Sequence, residues 1–241
     1  MSWSHVQGTG ATLTSAGTTC SATLSGVTAG NMLVLGVTAQ QASGTAPTVS
    51  VSDGTNSYSL AHDRATTYTG TSSVRLALYA AMAAAGSFTA TVTSSASGLI
   101  TLSFDEFAPP GTTPGLDASG DNADTATGDT QGDANLSLSA SDLVIGIFDV
   151  TTTNQTYTAG PGFTLGYHQS GTNSRPYVSV YSLSAGPGSV DANVGWGLLN
   201  MKWSGVAAAW SSTTIATATP GWSSTLKPKA LPLLSQFGKL Y

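Results

Sequence analysis

Short apolar runs of four to nine residues, alternating or wholly apolar, recur along this chain, and each closes on Gly, Ser, Asn or Asp. Apolar alternation cut at that interval by turn residues is the signature of strands in an all-β protein. It predicts strands near 11–14, 21–27, 32–39, 48–52, 57–62, 74–82, 87–93 and 99–107. A second set follows near 135–139, 143–150, 163–169, 177–184, 189–195 and 198–209. The alanine run Ala80–Ala85 has helical propensity, but Leu76, Leu78 and Ala80 alternate into it and Gly86 ends it, which reads as strand.

The two sets repeat one another. Tyr79–Val92 aligns without gaps with Tyr181–Val194, matching Tyr79 with Tyr181, Gly86 with Gly188, Ser87 with Ser189, Ala90 with Ala192 and Val92 with Val194. Upstream, Asn31-Met32-Leu33-Val34 matches Asp142-Leu143-Val144-Ile145, and downstream Leu102-Ser103-Phe104 resembles Met201-Lys202-Trp203. The expectation is an antiparallel β-sandwich over residues 1–212, of jelly-roll or immunoglobulin-like type, built from pseudo-repeats at about 21–107 and 135–209. The halves are read as interleaved parts of one sandwich, with two tandem domains as the alternative.

Two segments break the pattern. Residues 108–134 open with Pro109-Pro110-Gly111, carry Asp117, Asp121, Asp124, Asp129 and Asp133, and lack apolar periodicity. They read as a long acidic surface loop, of the kind that is often functional. Residues 213–241 contain Pro220, Pro228 and Pro232, which forbid a central strand or a regular helix. Yet they also carry Leu231, Leu233, Leu234, Phe237, Leu240 and Tyr241. The reading is an extended C-terminal arm, docked either on a neighbouring subunit or back on its own sandwich.

Only 8% of the residues are charged, so the surface is built from Ser, Thr, Asn, Gln and Gly. The net charge of −5 excludes nucleic-acid binding, which needs a basic patch to replace phosphate counterions. No apolar run is long enough for a membrane-spanning helix. Cys20 is the sole cysteine, so no intrachain disulfide forms. Met1-Ser2-Trp3-Ser4-His5 has neither a basic nor an apolar signal region, which points to synthesis in a host cytoplasm without export.

No catalytic residue is expected. The chain lacks a Gly-x-Ser-x-Gly elbow, His-Glu-x-x-His and a phosphate loop. Asp105 and Glu106 are adjacent on a strand and face opposite ways, which is wrong for a converging acid pair. No cofactor is expected; Asp117, Asp121 and Asp124 are weak calcium candidates, since calcium takes six to eight oxygens and the spacing is not that of an EF-hand. For partner contact the candidates are Trp3, Trp210, Trp222, Leu231, Leu233, Leu234, Phe237 and Tyr241, while Trp196 and Trp203 fall on strand patterns and read as core.

The order Gly30-Asn31-Met32-Leu33-Val34-Leu35-Gly36-Val37, Val49-Ser50-Val51-Ser52-Asp53-Gly54, Gly86-Ser87-Phe88-Thr89-Ala90-Thr91-Val92, Ser141-Asp142-Leu143-Val144-Ile145-Gly146 and Ala185-Gly186-Pro187-Gly188 resembles poorly characterised β-sandwich proteins of tailed phages and environmental bacteria. The resemblance covers about residues 21–210 and rests on strand and turn motifs. It implies a head-decoration or minor-tail role and brings no catalytic residues. The functional expectation is a non-enzymatic virion structural protein that binds other virion proteins and copies of itself through strand edges and the arm. The alternatives are a carbohydrate-binding module for host glycans and a bacterial surface or filament subunit.

Overall fold

Among the described residues, sixteen strands and no helix make up the fold. The computed structural model describes residues 2–68, 72–111, 113–129, 131–171, 175–197 and 201–213. The strands of the first half are β1 (Ser4–Thr12), β2 (Gly17–Val27), β3 (Met32–Gln41), β4 (Val49–Ser52), β5 (Ser59–Tyr68), β6 (Ser72–Met82), β7 (Gly86–Gly98) and β8 (Ile100–Ala108). Those of the second half are β9 (Thr113–Asp129), β10 (Gln131–Leu138), β11 (Asp142–Val150), β12 (Tyr157–Ala159), β13 (Thr164–Gln169), β14 (Tyr177–Ala185), β15 (Gly188–Trp196) and β16 (Met201–Thr213).

Each half forms a five-stranded and a three-stranded antiparallel sheet. The orders are β1-β8-β3-β6-β5 with β2-β7-β4, then β9-β16-β11-β14-β13 with β10-β15-β12. In the first half β1 pairs with β8, β2 with β7 and β3 with β6, as if one long hairpin had been rolled up. That is the jelly-roll winding. Its one departure is that β5 pairs with β6 and not with β4, which widens the larger sheet. The second half repeats the winding and the departure strand for strand.

Four sheets therefore stack in layers, where a single two-sheet sandwich was expected. The physical reason lies in the larger sheets, which are apolar on both faces. Along β3, Leu33, Leu35, Val37 and Ala39 point into a core shared with Leu24, Phe88, Ala90 and Val92 of the small sheet. The alternate residues Met32 and Val34 point the other way, to a central core shared with Ile145, Ile147, Val206 and Ala208 of the second half. Phe148, Trp196, Trp203, Val178 and Val194 fill the third core, inside the second half. Runs such as Met32–Ala39 and Leu143–Val150 are buried throughout, and apolar but for Thr38 and Asp149, because their sheets are covered on both sides.

The central seam also carries polar clasps. Asp149 on β11 is fully buried and accepts two bonds from the Arg175 guanidinium and one from the Tyr68 hydroxyl at 2.7 Å, with Arg175 lying over the Tyr68 ring. Thr66 meets Ser204 at 2.8 Å, and Ser103 meets the Tyr177 hydroxyl at 2.7 Å. Gly36 permits the approach of the halves there: a Cβ on it would stand 2.3 Å from that hydroxyl and 2.6 Å from Ile147 Cγ2.

The loop expected at 108–134 is mostly strand. β9 runs for 17 residues and pairs with β16 along its length, for example Asp121 with Val206 and Asp124 with Trp203. β10 then pairs with β15. Asp, Asn and Gly are poor strand formers, which hides β9 from a propensity reading. It is an edge strand, where charges are favoured because they discourage further pairing. Strand β1, whose residues 4–10 carry little apolar signal, is likewise an edge.

Candidate functional site

A cleft of about 720 Å³ opens on the surface at one end of the seam. Its walls come from both halves: Met32, Leu60, Ala80 and Met82 from the first, Pro114, Leu116 and Trp210 from the second. Four large apolar side chains are exposed among the described residues, and three of them, Leu60, Met82 and Leu116, line this cleft. Exposed apolar groups gathered in one concave place are a contact surface, whereas single scattered ones are ordinary.

One wall is a braced turn. The Asp53 carboxylate accepts from the Thr55 and Asn56 amides at 2.9 and 2.7 Å, from Asn56 Nδ2 at 2.7 Å and from the Tyr58 hydroxyl at 2.9 Å. Partial burial acts to raise the Asp53 pKa, but these donors together hold it below the usual carboxylate value. Asn56 Oδ1 in turn accepts from the Ala84 amide at 2.9 Å, tying this turn to the end of β6. Asp53-Gly54 reads as a turn in sequence, with Gly54 at φ 78°.

The duplicated topology explains why the cleft is open here and closed at the equivalent place. Met32 pairs with Phe107 and Leu143 pairs with Trp210, so Phe107 and Trp210 are counterparts. His5 opposes Phe107 as Leu116 opposes Trp210, which makes His5 the counterpart of Leu116. Val34 pairs with Ala80 and Ile145 with Tyr181, so Ala80 is the counterpart of Tyr181. At the closed end, the His5 ring stacks on Tyr181 with centroids 4.9 Å apart and tilts against Phe107 at 5.1 Å. At the open end, Ala80 stands in place of the Tyr181 ring and leaves that volume unfilled, with Leu116 exposed beside it. The sequence alignment matched Tyr181 with Tyr79. An irregularity in the β11–β14 pairing between Asp142 and Val144 shifts the register by one residue and turns Tyr181 to the opposite face. Tyr79 accordingly packs within the first half and donates to the Val49 carbonyl at 2.8 Å, while Tyr181 lies against the central core.

No known protein family, curated protein or solved structure matches the chain.

The residues singled out from sequence are distributed unevenly around the cleft. Trp210 forms part of its wall but is only 4% exposed, and Trp3 is 3% exposed in the central core. Neither presents a ring to solvent, because each side chain is needed to fill the seam. Trp222, Leu231, Leu233, Leu234, Phe237 and Tyr241, and the arm they belong to, lie outside the described residues.

The calcium candidates are not brought together: no group of three or more acidic, histidine or cysteine side chains suited to a metal occurs among the described residues. Asp121 is instead engaged across the seam by Arg64 and by His62 Nε2 at 2.7 Å, while His62 Nδ1 meets Ser119 at 3.1 Å. Asp117 accepts from the Ser139 amide at 2.7 Å and from its hydroxyl. As expected, Asp105 and Glu106 face opposite ways. Asp105 meets His5 Nε2 at 3.0 Å, and Glu106 accepts from Gln7 at 2.6 Å, the Thr28 amide at 2.9 Å and Asn31 at 2.6 Å.

Sequence reasoning did not find Asp142, at the start of β11. It is buried and, apart from its neighbour Asp117, its carboxylate oxygens have no partner. Burial first, then the hydrogen bond and charge of Asp117, push its pKa up to about 7. The Ser139 donors hold Asp117 below its usual value. The folded state therefore keeps a proton on Asp142 that the unfolded chain releases near pH 3.9, so this group costs stability as pH rises from about 4 to about 7. Asp117 has the opposite sign, and its contribution is lost only as pH falls below about 4. Asp142→Asn is expected to remove the loss and to stabilise the protein at pH 8 by roughly 1–3 kcal/mol while changing little at pH 4.5, as read by urea unfolding at the two pH values.

Proposed function

We propose that this chain is a non-enzymatic structural subunit of a virus particle, in a capsid-decoration or minor-tail position. It holds neighbouring virion proteins and copies of itself through open sheet edges and its C-terminal segment. The observation that carries the reading is the nature of the exposed surface: an apolar cleft rimmed by strand edges, with the acidic and basic groups tied up elsewhere. Glu106, Asp149 and Arg175 are each committed to bonds that hold strands or halves together. A site for proton transfer needs such groups converging on an open pocket, and the cleft is lined by none.

Two further properties support it. Jelly rolls recur in viral coats, a fold-level analogy. A surface with few charges has little to desolvate when copies pack closely. Edge strands β4 and β5 offer unpaired backbone to a neighbour, and many copies make weak contacts sufficient. A glycan-binding role is less well supported, since the Trp side chains of the described residues are buried and leave no such ring for a sugar to stack on.

Deletion of residues 223–241 tests the reading. The shortened protein is expected to fold with an unchanged circular dichroism spectrum and to fall at least tenfold in particle incorporation. Incorporation at the level of the full chain would remove the C-terminal segment from the contact.

A further inference from the structure

We propose that in the free subunit the cleft between Leu60, Ala80, Met82 and Leu116 is the seat of the chain's own C-terminal segment, residues 226–241. The inference concerns the isolated chain and does not depend on the particle reading.

Three observations converge on this occupant. The first is position. β16 ends at Thr213, whose partner is Thr113, so the chain leaves the described fold three residues beyond Trp210 and beside Pro114 and Leu116. The segment thus starts at the rim of the cleft. Residues 214–225 are mostly small and polar. At about 3.3 Å per extended residue they reach some 40 Å, ample to turn and come back. The second is chemistry. Beyond them stand Leu226, Leu231, Leu233, Leu234, Phe237 and Tyr241, spaced by Pro228 and Pro232. A proline-punctuated apolar strip enters a groove as an extended chain, with little ordering entropy left to lose. Tethering at the rim supplies it at a high effective concentration.

The third is the duplication. The equivalent place at the other end of the seam is occupied by the opposite terminus: His5 stacks on Tyr181, and Trp3 packs into the central core beside Leu143 and Phe107. The counterpart of Trp3 at the open end is Pro114, that of His5 is Leu116 and that of Tyr181 is Ala80. The two large rings are thus replaced by Pro114 and Ala80, and the imidazole by the aliphatic Leu116, so ring volume is lost at this end of the seam. A terminal segment rich in large apolar groups restores the missing volume.

The test uses the full chain as a purified monomer. A benzophenone amino acid replaces Leu60, which is half exposed, and the irradiated protein is mapped by peptide mass spectrometry. Links from position 60 into residues 226–241 of the same chain are expected, with a mixture of light and heavy isotope-labelled protein showing no light–heavy pairs. Links confined to other segments, or links found only between chains, would overturn the proposal.

A second readout does not need the crosslink. Tryptic cleavage after Lys229 is expected to speed up at least tenfold in the Leu60→Asp/Leu116→Asp variant, with its circular dichroism unchanged. A cleavage rate equal to that of the unaltered protein would count against the docked segment, whatever role the subunit has in a particle.

Discussion

Arg175→Met is expected to destabilise the protein by about 3–5 kcal/mol. The guanidinium makes two bonds to Asp149, which is wholly buried in the seam, and its removal leaves that carboxylate charged, dehydrated and held only by the Tyr68 hydroxyl. Burial alone acts to lower the Arg175 pKa, but the adjacent Asp149 charge and bonds raise it, so the guanidinium stays charged in the fold. Arg175 and Asp149 both belong to the second half, so between the jelly rolls the change removes only the contact of the guanidinium with the Tyr68 ring. Urea unfolding followed by tryptophan fluorescence gives the value. Asp149→Leu combined with Arg175→Met is expected to cost less than Arg175→Met alone, since no orphaned charge remains. A cost under 1 kcal/mol for the single change would mean that the pair is solvated.

Phe148→Ala is expected to cost about 3–5 kcal/mol, at the upper end for a core truncation. The ring is fully buried in the third core, and three glycines make its space. A Cβ on Gly205 would stand 2.4 Å from the ring, and one on Gly132 or Gly146 would stand 3.1 Å from it. With glycine at these three positions, no side chain there can lean into the void when the ring is removed, so the cavity stays open. Thermal or urea unfolding measures the effect, and Phe148→Leu should recover more than half of it. A loss below 1.5 kcal/mol would show that the core collapses around the gap.

The fold was legible in sequence wherever apolar alternation was strong. Runs such as Met32–Ala39, Ile100–Phe107 and Leu143–Val150 announced buried strands, and turn residues set off their ends. What alternation could not reveal was that both faces of these runs are covered, since a buried strand reads the same in two layers or four. Strands β1 and β9 escaped notice for a different reason: an edge strand is stabilised by its backbone ladder, which leaves its side chains free to be polar. The β11–β14 register shift was likewise invisible, because the aligned pair Tyr79 and Tyr181 kept the same residue type while pointing to opposite faces. The cleft depends on that shift, and so it was hidden too. Trp3 and Trp210, expected at a partner contact, are instead buried, because large rings near strand ends fill the seam itself.

If this stacked pair of jelly rolls works as a particle subunit, as proposed, it is a constituent of purified particles. The most direct measurement is mass spectrometry of purified particles from the source, with copy number counted against the major capsid protein. A defined copy number is expected, high for decoration of the shell and low for a tail position. Infectious particles that contain none of this protein would contradict it.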